Sequence, residues 1–325
     1  MHSEPNVVAR HGDAAMIADV RAGLVDREPG TQRELPPKYF YDHRGSLLFE
    51  AITQLPEYYL TRTERQLLAS RMPTWMAVLR PGALVELGAG NADKTRTILD
   101  AMRAARRDVV YVPVDVSAAF LDETATTLRR EYPDLNVEPV VADFASGVRL
   151  PRALPRPILY AFLGSTIGNL DDGAATQLLS HLRRGMGRGD RLLLGADLEK
   201  DVAVIEAAYN DSKGVTAEFN RNMLRVINHE LGANFDASAF AHRAFFSERA
   251  GRIEMHLVAI EDQMVTIPGV GHLTVPAGDS IRTEISNKYT PARLTRILGA
   301  AGLHAVTWET DDAGGYALLL AAPQV

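Results

Sequence analysis

The chain has 325 residues, 46% of them hydrophobic and 23% charged, a balance that supports one large or two smaller globular domains and excludes a disordered chain. Its net charge of −6 argues against a nucleic-acid backbone or an anionic membrane as the main partner, since both select clustered Lys and Arg. With no cysteine, thiol nucleophiles, disulfides, iron–sulfur clusters and thiolate zinc sites are excluded, and a small molecule is the expected partner.

The N-terminal stretch MHSEPNVVARHGDAAMIADV carries Glu4, Arg10 and Asp13 where a secretory signal needs an unbroken apolar run, so no export is expected. The late apolar stretch YALLLAAP, 316–323, is far short of the ~20 residues of a membrane-spanning helix. A soluble, cytoplasmic protein is the expectation. Residues 15–25 predict an amphipathic helix, and 33–68 mixes proline breaks with many tyrosines before a helix opens near Thr61 or Thr63.

From residue 83 the pattern changes. ALVELGAG is an apolar run stopped by glycines and followed by the helical NADKTRTILDAMRAA. VVYVPVDVS (109–117) repeats the order of strand, acid and helix, and VEPVVADF (137–144) is expected to do so again. ILYAFLGS and RLLLGADL (191–198) supply two more buried strands around a helix at GAATQLLSHLRRGM. Strands alternating with helices predict a doubly wound, mostly parallel α/β sheet. Beyond Leu198 the alternation stops: 199–231 reads as helices and 242–286 as short strands with a turn over IPGVG. A helix, a strand, a turn over DDAGG and a last strand close the chain. The expected organisation is an α/β domain of 61–198 plus 287–325, with 199–286 inserted and packing with 1–60.

The chemistry gathers at the strand ends. Gly88 and Gly90 let backbone N–H groups approach a ligand, but the third glycine of a dinucleotide fingerprint is Asp93 here. Glu86 lies in the strand before those glycines, Asp115 ends the second strand, and Asp143 with Phe144 ends the third. An acid after the second strand suits ribose hydroxyls; an acid with an aromatic after the third suits an adenine. The set fits S-adenosylmethionine better than NAD, since no pyrophosphate has to be cradled. Each acid taken singly is equally a helix cap or a solvated loop residue. The nine histidines are scattered, without the paired spacing of a zinc helix, so no metal is expected.

Five blocks then carry a resemblance through nearly the whole chain: PKYFYDHRGSLLFEAITQLPEYYLTRTE, VELGAGNADKT, GSTIGNL, AAYNDSKGVTAEFNRNML and IRTEISNKY. In these the chain resembles the S-adenosylmethionine-dependent histidine Nα-methyltransferases of ergothioneine biosynthesis. The resemblance implies a class I methyltransferase fold, Rossmann-like, with a second, α+β substrate-binding domain. It implies an enzyme that methylates the α-amino group of L-histidine three times to give hercynine, and a monomer with S-adenosylmethionine as cosubstrate. By the same resemblance Gly88, Lys94, Asp115, Asp143 and Phe144 contact the cosubstrate. Tyr58, Asn169 and Tyr209 hold the amino acid's carboxylate and amine, Tyr41 stands near the amine, Glu284 and Ser286 hold the imidazole, and Met255 lines its pocket. Asn169 and Tyr41 are the expected catalytic residues.

Residue chemistry agrees with this assignment without requiring it. Glu284 and Ser286, two apart in a strand, share a face and can address two nitrogens of one ring; read alone, the pair also suits an edge strand facing water. The tyrosines and Met255 equally suit a core, and Asn169 a turn. A methyltransferase for another amino acid or small amine would keep the strand-end acids, and the TEIS pair is the feature against it.

Overall fold

The computed structural model describes residues 11–28, 30–106, 108–143, 148–151 and 153–324. Phe144, expected beside the cosubstrate, lies outside them.

The apolar runs become strands β2 (Ala83–Leu87), β3 (Val110–Asp115), β6 (Ile158–Phe162) and β7 (Arg191–Asp197), hydrogen-bonded in parallel. They are nearly continuous runs of buried residues because helices cover both faces of the sheet. The expected strand 137–144 is instead two short pieces, β4 (Asn136–Val137) and β5 (Val140–Val141), both paired with β3. The register sets Pro139 opposite Pro113, and neither has an N–H to give to a ladder. On the other side β14 (Tyr316–Pro323) runs antiparallel between β7 and β13 (Leu303–Thr310). The resulting order, β13-β14-β7-β6-β2-β3-β4, is a Rossmann-like sheet with one reversed strand near its edge.

Side chains alternate between two cores. Val85, Phe162, Leu194 and Leu319 face α6 (Asp172–Gly185) and α9 (Pro291–Ala300). Leu84, Ala161, Leu193 and Leu318 face α3 (Tyr59–Leu79) and α4 (Thr95–Ala105). The second core continues into another layer. There α8 (Val215–Leu231) packs on β8 (Phe240–Ser247) and β9 (Arg252–Ala259), beside α1 (His11–Leu24) and α2 (His43–Thr53).

That layer holds a four-stranded sheet in the order β1-β12-β9-β8, in which β1 (Arg33–Glu34) pairs with β12 (Ser280–Asn287) from the far end of the sequence. Helix α3 starts at Tyr59, two residues before the earlier of the expected threonines. No helix among the described residues is long and apolar enough to cross a membrane.

Candidate active site

A cleft of about 470 Å³ opens at the carboxyl ends of the parallel strands, and its walls include Gly88, Gly90, Lys94, Asp115, Asp143, Asn169, Tyr41 and Tyr58. This is where open α/β sheets bind ligands. The turn from β2 to α4 reaches positive φ at Gly88 (69°) and Gly90 (53°), which favours glycine, and a Cβ on Gly90 would meet nothing within 4 Å. Asp115 accepts from the Gly90 N–H at 3.0 Å and the Ser117 N–H at 3.1 Å. Both bonds hold its carboxylate in place while leaving lone pairs for a ligand's hydroxyls. Asp143 accepts from Lys38 at 3.1 Å, and Lys38 also pairs with Asp19 on α1. The strand-end acids, the open glycine turn and a cleft of this size fit an adenosyl ligand.

Glu86 does not reach out as the strand-end acids do. It is 3% exposed and accepts from Thr95 at 2.7 Å and Tyr111 at 2.6 Å, while burial pushes its carboxyl up to about 7 against those two bonds. Asp93, at the missing third glycine, pairs with Arg65 on α3.

Asn169 closes a 3-10 turn of Thr166–Asn169 after β6. Almost every group around it is tied. Glu64, fully buried, accepts the Gly164 N–H at both carboxylate oxygens (2.8 and 2.9 Å) and the Tyr316 hydroxyl at 2.6 Å, and it pairs with Lys94. Asn287 donates to the carbonyls of Gly168 at 2.9 Å and Leu170 at 2.8 Å, and Tyr289 donates to that of Ile167 at 3.1 Å. A Cβ on Gly168 would lie 3.0 Å from the Asn287 carbonyl oxygen, so the turn and β12 approach as closely as glycine allows. The Asn169 amide itself takes no bond from a described residue, and it lines the cleft.

Tyr209, Met255, Glu284 and Ser286 do not line that cleft; they stand behind it on the second layer. A bulge between Arg282 and Glu284 resets β12 so that Glu284 pairs with Met255, and Ser286, two further on, shares their face. Tyr209 links the two groups: its ring lies 6.4 Å from that of Tyr58, and its hydroxyl donates to Ser286 at 2.8 Å. Burial pushes the phenols of Tyr41, Tyr58 and Tyr209 well above their ordinary value, and the nearby Glu284 carboxylate adds to this in all three. Burial also lifts the Glu284 carboxyl to about 7, with Lys288 pulling the other way. Among the described residues no group of three or more His, Asp or Glu is placed to hold a metal ion.

Several residues escaped sequence reasoning. Asp197, fully buried, accepts from Tyr59 at 2.7 Å and pairs with Lys288 at 2.9 Å and with Lys200. It ends RLLLGAD as Asp115 ends VYVPVD, so the same strand-then-acid signal marks it. Lys288 and Asn287 sit inside the quoted ISNKY. Glu64 gave no signal, because a glutamate in TRTERQLL reads as a solvated helix face.

With this geometry in hand, relatives are informative. The family described as histidine-specific methyltransferase, SAM-dependent, matches residues 16–323. The chain is 46% identical over 314 residues to histidine N-alpha-methyltransferase of Mycobacterium tuberculosis, covering 96% of each chain. It is 43% identical over 309 residues to the protein of that name from Mycolicibacterium smegmatis, covering 94% of each. To ergothioneine biosynthesis protein 1 of Neurospora crassa it is 30% identical over 299 residues, 88% of this chain and 33% of that longer protein. The chain belongs to the family of histidine-specific, S-adenosylmethionine-dependent methyltransferases.

Proposed function

We propose that this methyltransferase carries the α-amino group of L-histidine through three successive methylations to Nα,Nα,Nα-trimethyl-L-histidine, hercynine, an early step of ergothioneine biosynthesis. One observation supports the reading above others. Asn287, at the end of the strand bearing Glu284 and Ser286, grips the carbonyls on both sides of Asn169. A strand suited to reading a ring and an amide suited to orienting an amine are thereby held in fixed relation.

On this reading Gly88, Lys94, Asp115, Asp143 and Phe144 hold S-adenosylmethionine, with Asp115 at the ribose hydroxyls and Asp143 at the adenine. When bound, the cosubstrate supplies an electrophilic methyl group on a sulfonium. The protein's contribution is position, which supplies most of the rate in a direct displacement. Asn169 accepts an N–H of the substrate amine through its amide oxygen and leaves the nitrogen lone pair free. Tyr58 holds the carboxylate end, and Tyr209 stands between that end and the ring. Glu284 and Ser286 address the ring nitrogens, with Met255 against the ring face.

A free amine is mostly protonated at neutral pH, so the site takes the minority neutral form or passes a proton to solvent. Tyr41, whose phenol is pushed well above its ordinary value, serves as an oriented neutral hydroxyl rather than a phenolate base. As methyl groups accumulate the nitrogen becomes a permanent cation, which the ring faces of Tyr41 and Tyr58 accommodate.

In this scheme 61–198 with 287–325 bind the cosubstrate, while 1–60 with 199–286 bind the amino acid. On the same reading the enzyme works as a monomer on two small-molecule substrates in the cytoplasm.

The test is a mass-spectrometric assay of the purified chain with S-adenosylmethionine and a mixture of the free amino acids. Methylation of histidine alone is expected. Methylation of a different amino acid would leave a methyltransferase and remove the ring assignment.

A further inference from the structure

Behind the cleft a fully buried lysine, Lys288, follows β12. Its Nζ donates to Asp197 Oδ2 at 2.9 Å, to Ser286 Oγ at 3.0 Å and to the Tyr209 hydroxyl at 3.1 Å. An ammonium has three protons, and all three are engaged. The Tyr209 hydroxyl in turn donates to Ser286 Oγ at 2.8 Å. That direction suits the chemistry, since a phenol is the stronger acid of the two and an alkyl hydroxyl the better acceptor. Ser286 Oγ therefore already accepts twice, and its one remaining capacity is its own O–H.

We infer that Lys288 is a positioning residue that commits Ser286 to donating, so that the ring site selects a ring with one N–H and one bare nitrogen, the neutral imidazole. This rests on the reading of Glu284 and Ser286 as the ring contacts. Glu284 is the complementary acceptor, because no donor among the described residues bonds its carboxylate. An imidazolium carries two N–H groups and would turn one of them against the Ser286 proton. Asp197 makes the buried ammonium tolerable, since a charge out of water needs a partner. Asp197 also accepts the Tyr59 hydroxyl at 2.7 Å, which keeps the pair anchored to α3.

The test compares histidine with the two isomeric 3-(pyrrolyl)alanines, which keep a ring N–H but have no bare nitrogen. The readout is the ratio of kcat/KM for histidine to that for the better pyrrole, measured in the wild type, Ser286→Ala, Lys288→Met and the double variant. The wild type should favour histidine. Ser286→Ala should cut that ratio about tenfold, the worth of one hydrogen bond, Lys288→Met should cut it similarly, and the double variant should lose no more than either alone.

A merely structural role for Lys288 would slow both substrates alike and leave the ratio unchanged, which would overturn the inference, as would losses that multiply in the double variant. In Lys288→Met, Asp197 keeps Tyr59 and Lys200 as partners. Should that variant fail to fold, Lys288→Leu, which likewise removes the donor, replaces it, and an unchanged ratio in Ser286→Ala by itself overturns donation by Ser286. A wild-type chain that methylates no histidine would refute the underlying reading instead.

Discussion

Glu284 concentrates the account in one side chain. An ionised carboxylate accepts a ring N–H far more strongly than a protonated one, and burial raises this carboxyl to about 7. Its ionised fraction falls as pH drops through that value, so kcat/KM for histidine should fall on the acid side of about pH 7. Glu284→Gln should be slower than the wild type at pH 8 and should lose the part of the acid limb that belongs to the enzyme. A pH profile with an unaltered limb in Glu284→Gln would refute this. That Glu284 and Ser286 share a face was legible in their spacing. The burial that gives Glu284 its unusual proton affinity was not, and neither was its nearness to Tyr41, Tyr58 and Tyr209, which are distant in sequence.

The turn between β6 and α6 shows how an element, rather than a side chain, places Asn169. Asn169→Ala removes the amide that faces the cleft and should lower kcat on the order of 10²-fold, a typical loss for one orienting group, with little change in cosubstrate affinity. Asn287→Ala touches no substrate, yet it strips the Gly168 and Leu170 carbonyls of their donor. It should also lower kcat, and in addition cost about 2 kcal/mol of stability for buried acceptors left unpaired. Steady-state kinetics and chemical denaturation measure the two effects. Full kcat in Asn287→Ala would show that the clamp does not position the turn. GSTIGNL could be read as a loop after a strand. Its restraints could not, since Glu64, Asn287 and Tyr289 reach it across 100 or more residues.

The two layers differ in how much the sequence disclosed. Parallel strands announce themselves as apolar runs cut by glycine or aspartate, so the Rossmann-like sheet was readable apart from the break that Pro113 and Pro139 impose on its edge. The second sheet was read as short strands without a partner for each. Its pairing of Arg33 with Ile281 and of Glu34 with Arg282 is a contact across some 248 positions, which no local pattern encodes. The acids at the strand ends predict a ligand-linked gain in stability. S-adenosylhomocysteine at about 100 times its Kd should add about 2.7 kcal/mol and raise the melting temperature by roughly 5 °C. Asp115→Ala should abolish most of that shift, and a full shift in this variant would remove Asp115 from the site.

The most direct measurement of the whole account uses histidine with S-adenosylmethionine labelled in its methyl group, locating the label in the product by fragmentation and NMR. The account predicts a product with three labelled methyl groups, all on the α-nitrogen. Label on a ring nitrogen, or a reaction that stops at one methyl group with cosubstrate in excess, would contradict it.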